Sequence, residues 1–148
     1  MYVRVTEGPE KFDFSGLTDS QTSLIQVGGF IATENVKSGM LVLHASSVEI
    51  SGVSGTTTLD VVVRAALRLA SGAWVVDESD VGTTATLSTG LVDGASGLFR
   101  VSLNTLADYG LLPGPALVVL VKGKMGSRAT PPTVLRATLE IGLELLPT

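Results

Sequence analysis

The chain contains no cysteine, which removes disulfides, thiolate metal sites and cysteine nucleophiles together. His44 is the only histidine, so a histidine metal cluster cannot form and a Ser-His-Asp triad would have to be built on that residue. Charge is also scarce: charged residues occupy 16% of 148 positions, against roughly 25% in ordinary soluble domains. The ten basic residues are scattered from Arg4 to Arg136 and the net charge is −4, which leaves no electrostatic footprint for nucleic acid. Aromatics, at 5%, are too few for the girdles of a transmembrane β-barrel. The longest apolar run, Ala116 to Val121, has six residues, far short of the roughly 18 that a spanning helix needs. The N-terminal MYVRVTEGPEKFDF has neither the apolar segment nor the cleavage site of a secretory signal. The expectation is a soluble, unexported chain with no nucleic-acid or membrane partner.

What the chain does have is apolar residues, 45% of the total with a mean hydropathy of +0.44. With lipid disfavoured, such a surplus points to contact with other protein. Its length fits a single domain with a sizeable core.

The strongest local signal is period-two alternation, which places successive side chains on opposite faces of a sheet. Leu135, Ala137, Leu139, Ile141, Leu143 and Leu145 fall on one face, with Arg136, Thr138, Glu140 and Glu144 on the other. Leu59, Val61, Val63, Ala65, Leu67 and Leu69 alternate in the same way. Arg64 and Arg68 are four apart beside good helix formers, so a short helix competes there, but the β-branched start at 56–63 favours the strand. Further strands are expected at 2–5, 23–32, 41–43, 48–50, 74–76, 84–91, 99–103 and 116–122. Between most of them lie turn signals: SGVSG at 51–55, SG at 71–72, DVG at 80–82, DGASG at 93–97 and GKMGSRATPP at 123–132. One helical turn is expected at Thr105–Tyr109, with Asn104 as N-cap and Gly110 as its stop. The predicted fold is all-β, an antiparallel β-sandwich or jelly-roll-like barrel. Residues 1–20 form an extended N-terminal arm and 21–148 a single domain.

No motif of catalysis or cofactor binding stands out. His44 lies in the apolar run MLVLHASSVEI with no G-x-S-x-G elbow, and is read as a structural histidine at a strand end. Asp77, Glu78 and Asp80 form the one acidic cluster; oxygen-rich loops can hold calcium, but this spacing is not that of an EF-hand and is read as a solvated turn. KGKMGSR, with Lys122, Lys124 and Arg128, matches no phosphate-binding loop and is read as a flexible connection between strands. The glycine-rich motifs of the dUTPases, with their paired aspartate, are absent. No cofactor, metal or catalytic residue is assigned. The candidate interface residues are Phe12, Phe14 and Leu17 on the arm, two of them aromatics with no local core, together with Trp74 and Tyr109 on the domain.

In length, composition, absent cysteine, strand-rich punctuation and polar N-terminal arm, the chain resembles the small β-sandwich decoration or cement proteins of tailed bacteriophages. The resemblance rests on style rather than on a motif, so no family residue is carried over. It implies a structural virion protein: a homo-oligomer, a trimer by preference, that binds a major capsid or other shell protein and stabilises the particle without chemistry. The other readings are a tail, baseplate or spike component and a carbohydrate- or receptor-binding sandwich.

Overall fold

Alternation along the chain becomes two stacked antiparallel sheets in the computed structural model, which describes residues 1–34, 36–80, 97–103 and 116–147. The described strands are β1 (Tyr2–Arg4), β2 (Glu10–Asp13), β3 (Thr22–Ala32), β4 (Val36–Ser51), β5 (Thr58–Arg68), β6 (Trp74–Asp80), β7 (Gly97–Ser102), β8 (Ala116–Lys124) and β9 (Val134–Pro147). The first sheet runs β1–β9–β4–β7, with β2 also on β9; the second runs β3–β8–β5–β6. No described residue is helical. The helical turn expected at 105–109, the strand at 84–91 and the interface candidate Tyr109 lie outside the described residues.

The long C-terminal alternation is the centre of the first sheet. Leu135, Ala137, Leu139, Ile141, Leu143 and Leu145 are all buried, facing Leu59, Val61, Val63, Leu117, Val119 and Val121 of the second sheet in one core. The helical alternative for 64–68 loses because each of these residues has a cross-strand partner, Arg64 with Val118 and Arg68 with Trp74. Residues 41–43 and 48–50, expected as two strands, are parts of one sixteen-residue β4. A shift of register between Ala45 and Ser47 absorbs the break in alternation, one extra residue being what a β-bulge accommodates.

The first twenty residues contribute two short strands, with bends at 5–8 and turns at 15–16 and 19–20, and they do not reach away from the domain. β1 and β2 lie along β9, with Val3 opposite Leu143 and Phe12 opposite Ala137. Between them Thr6 is buried, its Oγ1 accepting the Ile141 N–H at 3.0 Å. After β2, Ser15 N–H donates to Asp13 Oδ1 at 2.9 Å, and the Phe14 N–H to Leu135 O at 2.7 Å. This turn drives the Phe14 ring across Gly123 of β8, where any Cβ would overlap it. The hydrogen bonds from Ser15 hold the Asp13 carboxyl below its ordinary 3.8, with Arg136 and Lys11 adding to the effect.

The connection 123–132, expected to be flexible, is pinned instead. Arg128 Nη1 donates to Leu17 O at 3.0 Å and Arg128 N–H to Asp19 Oδ1 at 2.8 Å. Met125, fully buried, donates its N–H to Gln21 O at 2.9 Å. The N-terminal segment and this loop therefore close one end of the sandwich together, and Arg128 acts as a clamp, not an anion cradle.

Candidate protein interface

The two outer faces of the sandwich differ in kind. On the first sheet the outward face mixes polar and charged residues of β9 and β4 with the exposed Met40 and Leu146, and Arg136 Nε donates to Glu49 Oε2 at 3.1 Å. That contact raises the Arg136 pKa through the hydrogen bond and the charge of Glu49. His44 sits on the same face, exposed in the middle of β4 between Glu140 and Leu98. It is not at a strand end, as expected, because the bulge carries β4 straight through this point. The hydroxyl end of the Tyr2 ring lies over Gly142, in the space a side chain there would fill.

The second sheet is apolar on its inner side and also over the middle of its outer side. Its inner residues join the main core, while Val62, Val118 and Leu120 on the outer side form a second buried cluster with Phe30 and Val76 against it. This explains the run Ala116–Val121: every residue in it is buried, so alternation disappears. Much of the apolar surplus read from composition as contact with other proteins is therefore taken up inside the chain.

Part of the rest emerges at the β5–β6 hairpin, and Tyr2, Leu24, Ile25, Met40, Leu98 and Leu146 are exposed elsewhere. Leu67 stands opposite Val75 in the ladder and the two are 54% and 49% exposed, with Leu69 and Trp74 exposed beside them. Trp74 leans to the other side of the hairpin, stacked on Phe30 with ring centroids 4.3 Å apart and planes 8° from parallel. Arg68, its cross-strand partner, places its guanidinium carbon 5.8 Å from the Trp74 ring centroid. With Phe30 on one face and Arg68 over the ring as well, the π surface of Trp74 is engaged within the chain. A sugar would have little of it left to stack on. The hairpin presents two unlike sides, aliphatic Leu67 and Val75 on one and an aromatic-cation stack on the other.

The five interface candidates thus separate. Trp74 lies on this exposed hairpin. Phe12, Phe14 and Leu17 are buried in the chain's own core, so in this structure their aromatic and aliphatic surface packs on β8 and β9 rather than on a neighbour. Sequence reading missed Leu67, Leu69 and Val75, because alternation assigned Leu67 and Leu69 to the core face. The signal for exposure was the position of SG at 71–72: a turn that close means the last residues of β5 belong to a projecting hairpin end. Asp77 and Glu78 are exposed on β6. Among the described residues no three His, Cys, Asp or Glu side chains come together as a metal site would need.

Comparison with known proteins supports the architecture. No protein-family model matches the chain, and no curated protein matches it in sequence. Among solved structures, the crystal structure of the infectious bursal disease virus VP2 subviral particle is similar over 97% of this chain, with a TM-score of 0.51 at 14% identity. The chain spans 31% of the length of that protein. At this identity the likeness defines the fold alone: an all-β, capsid-like sandwich of antiparallel sheets.

Proposed function

We propose that the chain is a structural virion protein, a decoration or cement protein that binds a major capsid or other shell protein as a homo-oligomer, a trimer by preference, assembled in the host cytoplasm. The observation that carries the reading is the exposed apolar end of the β5–β6 hairpin, Leu67, Leu69, Trp74 and Val75, on a fold similar to that of a particle-forming viral protein. Leu67 and Val75 face each other across the hairpin as an exposed aliphatic pair, and exposed apolar surface at one place is what marks protein contacts. No chemistry is required of such a protein. A partner that binds only the assembled shell stabilises it by mass action, in proportion to the free energy of binding.

Sedimentation equilibrium tests the oligomer. The intact chain should sediment above its monomer mass of 15.2 kDa. Leu67→Asp should lower that mass while leaving the thermal transition in place, because Leu67 is 54% exposed and contributes little to the core. A monomer at high micromolar concentration, or an oligomer indifferent to Leu67→Asp and Val75→Asp, would sink the reading.

A further inference from the structure

One end of the first sheet is hollow on its outer face. Ser38, Gly39 and Met40 of β4, Ser102 of β7, and Glu144 and Leu146 of β9 line a groove of about 310 Å³ there. Met40 stands opposite both Ser102 and Glu144, and Ser38 opposite Leu146. Leu41 and Leu43 point into the core, so Ser38 and Met40, which alternate with them, point out. Met40 and Leu146 are exposed, and among the described residues of the lining Glu144 alone is charged. The Met1 amine stands 3.8 Å from its carboxylate, a long contact that an arginine fork can join. The groove is at the small end of the roughly 300–1,000 Å³ that ligand cavities span. One carboxylate set among apolar groups suits a basic side chain carried on an apolar surface.

The chain carries such a group at the same end of the sandwich. Ala32, Ala116 and Ala66 stand side by side at the end of the second sheet, β4 begins just after β3 with Val36 opposite Pro147, and the β5–β6 hairpin projects at that end. On its outer side Arg68 stands opposite Trp74, which stacks on Phe30; both Arg68 and Trp74 are exposed. The groove and the Arg68–Trp74 pair therefore lie at one level but on opposite outer faces, and cannot meet within one molecule. We infer that the hairpin of one copy docks in the groove of the next, head to tail, with Arg68 on Glu144 and the edge of Trp74 on Met40 and Leu146. The inference rests on the assembly reading above and names the surface that receives the hairpin. An arginine fork matches a carboxylate, and a methionine sulfur is a favourable neighbour for the edge of an aromatic ring. A second copy is the occupant that charge favours, because the projecting base and the recessed acid belong to the same chain. Rotation about an axis along the strands keeps their level and brings one to the other. Such a contact joins two different surfaces, and copies linked this way form a closed ring when the rotation closes, as a trimer requires.

Charge reversal in the intact chain, read by sedimentation equilibrium, tests the contact. Arg68→Glu and Glu144→Arg each set like charges together and should weaken self-association about tenfold or more. The double variant Arg68→Glu/Glu144→Arg returns opposite charges to the contact and should restore it, which a merely structural role of either residue would not allow. Both sites are exposed, so every variant should keep the fold by circular dichroism, and Glu144→Arg leaves the Trp74 stack as it is. The absence of cysteine also lets the direction of the contact be read. Ser38→Cys beside the groove and Ala73→Cys at the hairpin end should each fail to cross-link to itself with a short bis-maleimide, whereas an equimolar mixture should give a dimer joining one of each. No loss on either reversal, a double variant as weak as the single ones, or a mixture that does not cross-link overturns the contact. If that happens while Leu67→Asp still lowers the sedimenting mass, the groove is not the receiving surface and the assembly reading stands. If the double variant restores what each reversal loses while Leu67→Asp changes nothing, the head-to-tail contact holds and the aliphatic side of the hairpin is not part of it. A chain that stays monomeric in every assay overturns both.

Discussion

Phe14 shows how one residue can bind the start of the chain to its middle and end. Its ring lies over Gly123 of β8, its N–H is bonded to Leu135 of β9, and it is 3% exposed. Glycine at 123 is a matter of close approach: the ring takes the volume that a side chain would occupy. Truncating a buried phenylalanine removes its transfer free energy and leaves a cavity, a loss of about 3–5 kcal/mol. Phe14→Ala should cost that much in urea unfolding, lowering the midpoint with the slope unchanged. A loss below 1 kcal/mol would mean that the ring is a passenger on the surface, as a tail aromatic awaiting a partner would be. By contrast, the exposed pair Arg136–Glu49 contributes little in water despite its good geometry, and its loss should be hard to detect.

At the level of whole strands, the N-terminal segment decides whether β9 is an edge or an interior strand. Without β1 and β2, β9 would expose one side of its ladder over most of its length, and the core would lose Phe12, Phe14 and Leu17. Deletion of residues 1–18 should therefore abolish the cooperative thermal transition. A truncated chain that still melts cooperatively near the intact temperature would show that the segment is an appendage. The same strands show what could be read from sequence and what could not. β9 and β5 were legible because one side of each faces the core and the other faces water, so hydrophobicity alternates. The polar appearance of 1–20 misled because β1 and β2 are so short that each turns only one residue inward, Val3 and Phe12; three or four residues cannot display a period. β4 was divided at HASS because a bulge shifts the alternation by one residue. The exposure of the hairpin end was invisible for a related reason. Periodicity reports which side of a strand a residue is on, not how far the strand outruns the sheet facing it.

For the molecule as a whole, the ladder connects opposite ends of the sequence. Tyr2 pairs with Glu144, Glu10 with Leu139 and Thr22 with Lys124, so neither sheet closes until distant parts of the chain meet. β9 lies between the N-terminal strands and β4 in the first sheet, and β8 lies between β3 and β5 in the second. The last two described strands are thus central, and an incomplete chain has its earlier strands without the partners that join them. Closing long loops before contacts compensate for the lost entropy slows folding, and sandwiches of this connectivity fold over about milliseconds to seconds. Refolding from urea should fall in that range as one main phase, with intrinsic fluorescence of Trp74 and far-ultraviolet circular dichroism changing together, because the Phe30–Trp74 stack spans both edge strands of the second sheet. A fast microsecond phase carrying most of the fluorescence change would mean that the stack forms before the sheet between its partners. A chain that exposes uncharged β3 during such slow closure has reason to keep its other edges charged, since that is where mispairing would begin.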